Sequence, residues 1–373
     1  MRRVRSRSTV SSGKRTPGKR TPGTRIPRTR IPRTLATLTL AAGLLLAALA
    51  PAPVPASTVT VTAAAPPGAA AVFPPECVSR KAGLAAKLRN DLTAALRDRP
   101  GTVALTVYEH SSRTYCALRA AKSYDSASII KVTILAALLR DAQQSRRVLS
   151  ARERSLVTAM ITQSSNGATG TLWRQLGTRK IYRFLNAAGM PRTELGWDRY
   201  WGLSRVNAAE QSRLLGLITL PNTVLSDSSR AYILDRMAHV VPAQRWGTPA
   251  GAPLKARVHV KNGWLPRDDL GWRVHSLGAF TGQGHDYTIA VLTHGNATMR
   301  QGVNTVQAVA RAVHRDLNPP ATGHTRTPEP PAPLVTPPAV PEEVVPPMPE
   351  GGVPGAQDPG NRLPGNGRFI AAG

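Results

Sequence analysis

Residues 128–139, Ser-Ile-Ile-Lys-Val-Thr-Ile-Leu-Ala-Ala-Leu-Leu, are the most demanding stretch of this 373-residue chain. On a helix, Ile129, Ile130, Val132, Ile134, Leu135 and Leu138 point in every direction around the axis. A helix that is apolar all round has to be enclosed all round, so it must run through the middle of a domain. Lys131 lies inside it. An unpaired ammonium there is costly, so other parts of the chain must bring polar partners to it. The fold has to wrap this helix and also feed it those partners.

The flanking sequence supplies the wrapping. Leu84, Leu88, Leu92 and Leu96 form one apolar stripe that stops at Pro100-Gly101, which predicts an amphipathic helix. Val103, Leu105 and Val107 alternate, a polar turn covers 110–114, and Tyr115 to Leu118 returns, which predicts a hairpin. Helix is expected at 156–161 and 168–188, and strands at 258–261, 272–280 and 287–293. Gly282-Gln283-Gly284 reads as a hairpin turn between the last two strands rather than a phosphate-binding loop. Val303, Val306, Ala310, Val313 and Leu317 close with a second amphipathic helix. This order predicts an α+β fold: an antiparallel sheet of about five strands, the terminal helices on one face and a helical block on the other.

The two ends of the chain have another character. Met1 to Thr34 carries 12 Lys and Arg and no acid, with echoed Lys-Arg-Thr-Pro-Gly units. An uncharged apolar run, Leu35 to Ala50, follows; at about 16 residues it is short for a membrane span. Val54-Pro55-Ala56 then offers small residues suited to a signal peptidase. Residues 1–56 are therefore expected to be an export signal with a long basic n-region, the alternative being an uncleaved membrane anchor. Ser57 to Glu76 reads as an Ala/Pro-rich linker, and 318–373 as a Pro/Gly-rich tail too poor in large apolar residues to fold. One domain, 77–317, remains.

Of the formal net charge of +28, the n-region holds much. What is left is spread through the domain, which suits anionic cell-wall polymers as neighbours and gives no nucleic-acid motif. A secreted or envelope-associated monomer is expected. Cys77 and Cys116, the only cysteines, fall on elements expected side by side, so an oxidising compartment predicts a disulfide between them. The eight His lack metal-ligand spacing and there is no Gly-x-Ser-x-Gly elbow, so neither a metal, a cofactor nor a Ser-His-Asp hydrolase is expected.

The chemistry of the chain starts at Ser128-Ile129-Ile130-Lys131. A serine and a lysine three residues apart share a helix face, and burial pushes a lysine toward service as a base. Two further short motifs follow in order: Ser164-Ser165-Asn166 after a helical run, and Lys261-Asn262-Gly263 with Trp264 on a strand. With these three in place, the domain resembles the class A β-lactamase and penicillin-binding serine hydrolases, whose signatures are Ser-x-x-Lys, Ser-Asp-Asn and Lys-Thr-Gly.

The resemblance implies Ser128 as acylated nucleophile, Lys131 as its base and Ser164 as proton relay to the leaving nitrogen. It also implies Asn166, Lys261, Asn262, Gly263 and Trp264 as substrate-binding groups, with the N–H groups of Ser128 and Trp264 forming an oxyanion hole. Read by themselves, Ser164 could be a turn serine, Asn166 a cap and Lys261 a solvated strand residue. The chain departs from the family pattern at Ser165, where Asp is usual, and at Asn262, where Thr or Ser is usual. The stretch from Lys131 to Ser164 is short, without the family's loop carrying an aromatic over the site. The 193–206 stretch lacks the Glu-x-x-Leu-Asn of the β-lactamase omega loop; Glu194 or Asp198 could activate a water there or be surface ion-pair partners. Trp197, Trp201, Trp246 and Trp264 could rim a cleft or fill core.

Three functions fit: a hydrolase acting on β-lactams with slow deacylation, a D-alanyl-D-alanine peptidase acting on peptidoglycan peptides, or a non-catalytic envelope-binding protein.

Overall fold

The stripe of Leu84, Leu88, Leu92 and Leu96 is buried along its length on helix α1 (Leu84–Leu96). In the computed structural model, which describes residues 73–197, 200–267 and 270–319, α1 lies on one face of a six-stranded antiparallel sheet. The export signal expected at 1–56 lies outside the described residues, as do nearly all of the expected linker and tail.

The sheet runs, in spatial order, β1 (Glu76–Val78), β3 (Thr114–Leu118), β2 (Thr102–Glu109), β8 (His285–Asn296), β7 (Trp272–Gly282) and β6 (Arg257–Leu265). The expected count of about five strands is one short. The extra strand is β1, whose three residues follow Pro74-Pro75 and are too few to show an alternation of their own. It pairs with β3 so that Cys77 stands directly opposite Cys116, with Cα atoms 4.1 Å apart, and the two are joined by a disulfide.

Both sheet faces are covered, so the long strands are buried along most of their length. On one face, Val103, Leu105, Val107, Val274, Ile289 and Val291 pack against α1 and the C-terminal helix α8 (Met299–Leu317). The other face carries α2 (Ile130–Gln144), α3 (Ala151–Thr162), α4 (Asn166–Leu176), α5 (Thr178–Ala187), α6 (Ala208–Thr219) and α7 (Asp227–Ala238). Every residue of α2 from Ile130 to Leu139 is buried, as an all-apolar helix requires.

The single helix expected over 168–188 is two helices. Gly177 breaks it at φ 71° and ψ 151°, a backbone conformation open to glycine. Helices α6 and α7 have no counterpart in the periodicity reading. A two-stranded ribbon, β4 (Tyr124–Asp125) with β5 (Arg205–Val206), fastens the 193–206 region beside the start of the central helix. The turn expected at 282–284 is present, with all three residues at positive φ.

Candidate active site

Three separate structural breaks deliver the site's side chains to one place. Ser128 sits in a 3-10 turn, Ala127–Ile129, that runs directly into α2. Ala127, immediately before it, is held in the left-handed region at φ 46°. That conformation is strained for a residue with a Cβ and persists only when its surroundings fix it. Ser164 also has a positive φ, 57°, between the end of α3 and the start of α4. Ser165, which stands where the family has Asp, caps α4 by accepting the Ala168 N–H. Lys261 comes from β6, one of the two edge strands.

Lys131 is fully buried, and its Nζ lies 2.8 Å from Ser128 Oγ, 2.7 Å from the Ser164 carbonyl, 3.0 Å from Ser164 Oγ and 2.9 Å from Asn166 Oδ1. These are the polar partners the buried helix demanded. The Ser164 carbonyl and Asn166 Oδ1 can only accept, and together they engage two N–H bonds. A neutral amine then has its lone pair left for the Ser128 hydroxyl. The electrostatics favour that form, because burial first, and then the positive charge of Lys261, lower the Lys131 pKa well below its ordinary value. Lys261, also fully buried, donates to Ser164 Oγ at 2.9 Å and to the Asn262 carbonyl at 2.8 Å. Burial brings its pKa down to about 7. Ser164 Oγ thus bridges the two lysines, in the position of a proton relay.

Gly263 lets β6 approach the nucleophile. A Cβ at this position would fall 2.8 Å from Ser128 N, 2.9 Å from Ile129 N and 3.2 Å from Ala127 Cβ. Only a residue without a side chain allows this strand to run against the Ser128 turn. Ser128 itself is half-buried, while Ala127, Ile129 and Lys131 around it are buried.

The sequence profile of the β-lactamase enzyme family matches residues 87–154 and 151–317, which takes in all three motifs. The chain belongs to the β-lactamase enzyme family. Among curated proteins no sequence matches it. Its fold is similar to that of the TLA-3 extended-spectrum β-lactamase (15% identity, TM-score 0.56, covering 62% of this chain and 98% of that one). A class A β-lactamase from Mycobacterium abscessus is also similar (18% identity, TM-score 0.55, 62% and 99% covered). So is an ancestral class A β-lactamase (19% identity, TM-score 0.54, 61% and 98% covered).

Ser128, Lys131, Ser164, Asn166, Lys261 and Gly263 come together as the family motifs imply. Asn262 is placed differently. It is buried, and both N–H bonds of its amide are engaged by the carbonyls of Gln244 and Trp246. Those carbonyls, from a loop that carries no periodicity, pin β6 from behind, so the Asn262 side chain braces the strand and is not free to receive a substrate carboxylate. Trp264 is half-buried, with its ring 5.8 Å from that of Trp246.

Glu194 is exposed, and its backbone pairs with Arg205. Asp198 lies outside the described residues. Among the described residues, no carboxylate bonds Ser128, Lys131, Ser164 or Lys261. No signal in the sequence points to the place that Trp201 takes. Its buried ring lies with the centroid 4.7 Å from Lys131 Nζ. The other tryptophans divide, with Trp197 exposed against Tyr200 and Trp246 and Trp264 half-buried.

Proposed function

We propose that this chain is a serine hydrolase that forms an acyl-enzyme at Ser128 with a β-lactam or a related amide or ester. The observation that carries this reading is the Lys131 environment: a buried amine, 2.8 Å from the hydroxyl of a half-buried serine, with its N–H bonds already directed to other acceptors. In this mechanism Lys131 takes the Ser128 proton as Oγ attacks the carbonyl. Ser164 passes a proton to the departing nitrogen, and Lys261 keeps the site electropositive for an anionic substrate. The backbone N–H groups of Ser128 and Trp264 stabilise the oxyanion, and Asn166, whose Nδ2 has no partner among the described residues, receives the substrate amide.

Acylation is fully equipped and hydrolysis is not. With no carboxylate bonded to Ser128, Lys131, Ser164 or Lys261 among the described residues to activate water, deacylation is slow; losing such a base costs on the order of 10²–10⁴ in rate. The same observation favours a second reading, a D-alanyl-D-alanine peptidase whose acyl-enzyme is resolved by a larger acceptor. The reading takes the protein to be exported, with which the Cys77–Cys116 bridge is consistent, and anionic wall polymers as neighbours suit the chain's excess of Lys and Arg.

Incubation with a fluorescent penicillin tests the reading. One equivalent of covalent label on the native chain and none on Ser128→Ala is expected. Full labelling of Ser128→Ala would place the nucleophile elsewhere, and no labelling of either would remove the acyl-enzyme. Release of D-alanine from a peptidoglycan pentapeptide would favour the peptidase.

A further inference from the structure

The flank of Lys131 that faces the 193–206 region is occupied by an aromatic plate. Nζ is enclosed by four oxygens, belonging to Ser128, Ser164 and Asn166, and by the face of the Trp201 indole. The ring has little room to move. Trp201 opens a 3-10 turn, Trp201–Leu203, and is 3% exposed. The turn is tied to the segment just before the nucleophile, since Ser126 N–H donates to the Ser204 carbonyl at 2.8 Å and Ser126 Oγ donates to the Gly202 carbonyl at 3.3 Å. Gly196 N–H donates to Ser204 Oγ at 2.9 Å, and a Cβ on Gly196 would lie 2.1 Å from the Tyr200 carbonyl oxygen. The loop is therefore closed on itself and fastened beside Ser128.

Hydrolysis of a Ser128 ester has strict requirements. A water oxygen must bond to the acyl carbon, its proton must pass to a base, and the bond from the acyl carbon to Ser128 Oγ must break as Oγ recovers a proton. Among the described residues, Lys131 is the base within hydrogen-bond distance of Ser128 Oγ. It is restored to the amine once the leaving nitrogen has been protonated, and it could return the water's proton to Oγ. A water can use it only from a position beside Nζ, and the Trp201 ring, its centroid 4.7 Å away, covers one flank of that nitrogen.

We propose, on the basis of the acyl-enzyme reading above, that Trp201 is a shield. It keeps water from Lys131 and so makes the Ser128 acyl-enzyme persist, leaving its resolution to an acceptor larger than water. The reason is steric: the ring occupies the volume that an attacking water needs.

The test forms the acyl-enzyme with benzylpenicillin, removes excess drug, and follows loss of the adduct by intact-protein mass spectrometry. Trp201→Ala should lose its adduct about tenfold faster than the native chain or more, by giving water a base. Trp201→Phe keeps an aromatic plate and should match the native rate. Both should acylate within a few-fold of native, which a merely structural defect would not allow. If circular dichroism shows Trp201→Ala unfolded, Trp201→Leu carries the test, with a smaller acceleration in the same direction. An adduct as durable in Trp201→Ala or Trp201→Leu as in the native chain overturns the shield, as does one equally labile in Trp201→Phe. A native adduct that hydrolyses within seconds also overturns it while leaving the acyl-enzyme intact. No native adduct at all removes both.

Discussion

Gly263→Ala tests how closely the strand and the nucleophile must meet. The new methyl would sit 2.8 Å from Ser128 N and 2.9 Å from Ile129 N. Comfortable contacts begin near 3.5 Å, so the two elements must separate by roughly 0.6 Å or more. Neither side yields easily. β6 is paired with β7 from Arg257 to Leu265, and the Ser128 turn leads into a helix buried along its first ten residues. Overpacking of this kind costs about 1–3 kcal/mol of stability. The effect on reaction should be larger in relative terms, because the gap opens between the Ser128 N–H and the strand that carries the Trp264 N–H. Loss of one oxyanion donor costs on the order of 10²–10³ in rate. We expect Gly263→Ala to be folded by circular dichroism and to acylate about 100-fold more slowly, close to 2.7 kcal/mol of barrier. Time-resolved labelling with a fluorescent penicillin measures this. Gly216→Ala, on α6 with open space around it, is the control and should label normally. A folded Gly263→Ala that labels within threefold of native would refute the close-approach argument.

Two further outcomes concern stability. Burial lowers Lys261 from 10.5 to about 7, so between those values the unfolded chain holds a proton that the folded chain has released. Stability should therefore rise with pH across that window and level off below about 7, by a few kcal/mol at most; urea midpoints at pH 7 and 9.5 should differ less in Lys261→Met, and equal differences would contradict the assignment. Reducing Cys77–Cys116, whose partners are 39 residues apart, should lower unfolding free energy by up to about 4 kcal/mol on chain-entropy grounds. An unchanged denaturation midpoint in reductant, with free thiols verified by mass, would show that the strand pairing alone holds that edge.

Patterning reveals what depends on it. The four leucines of α1, the all-apolar central helix and the alternating hairpin each bury a face that the sequence marks residue by residue, and they appear where the periodicity puts them. The site residues Ser128, Lys131, Ser164 and Lys261 are legible because a buried cation must find partners and short motifs in order name them. Features set by tertiary contact are not. β1 is three residues long and gains its strand character from pairing with β3. Asn262 reads as a donor for substrate, and no local signal indicates that the Gln244 and Trp246 carbonyls meet it first. Trp201 can be counted among the aromatics, but its stacking on Lys131 depends on the β4–β5 ribbon, two residues on each strand. Gly177 is the readable clue among the misses: a glycine within a helical run can mark a boundary.

The sheet order places β2, early in the chain, against β8, near its end, with Leu105 opposite Val291 and Val107 opposite Ile289. Everything between them, including the whole helical block, is a loop that this pairing must close. Closing so long a loop gives up chain entropy before any contact compensates, which makes the pairing a slow, late event in folding. Lys261 belongs to the sheet, while Ser128, Lys131 and Ser164 belong to the enclosed block. The helical block could collapse on its own and still lack the Lys261 amine that meets Lys131 through Ser164. A chain in which β6 has not yet met the block is thus chemically silent, and reactivity toward an acyl donor becomes a report on the docking of sheet and block.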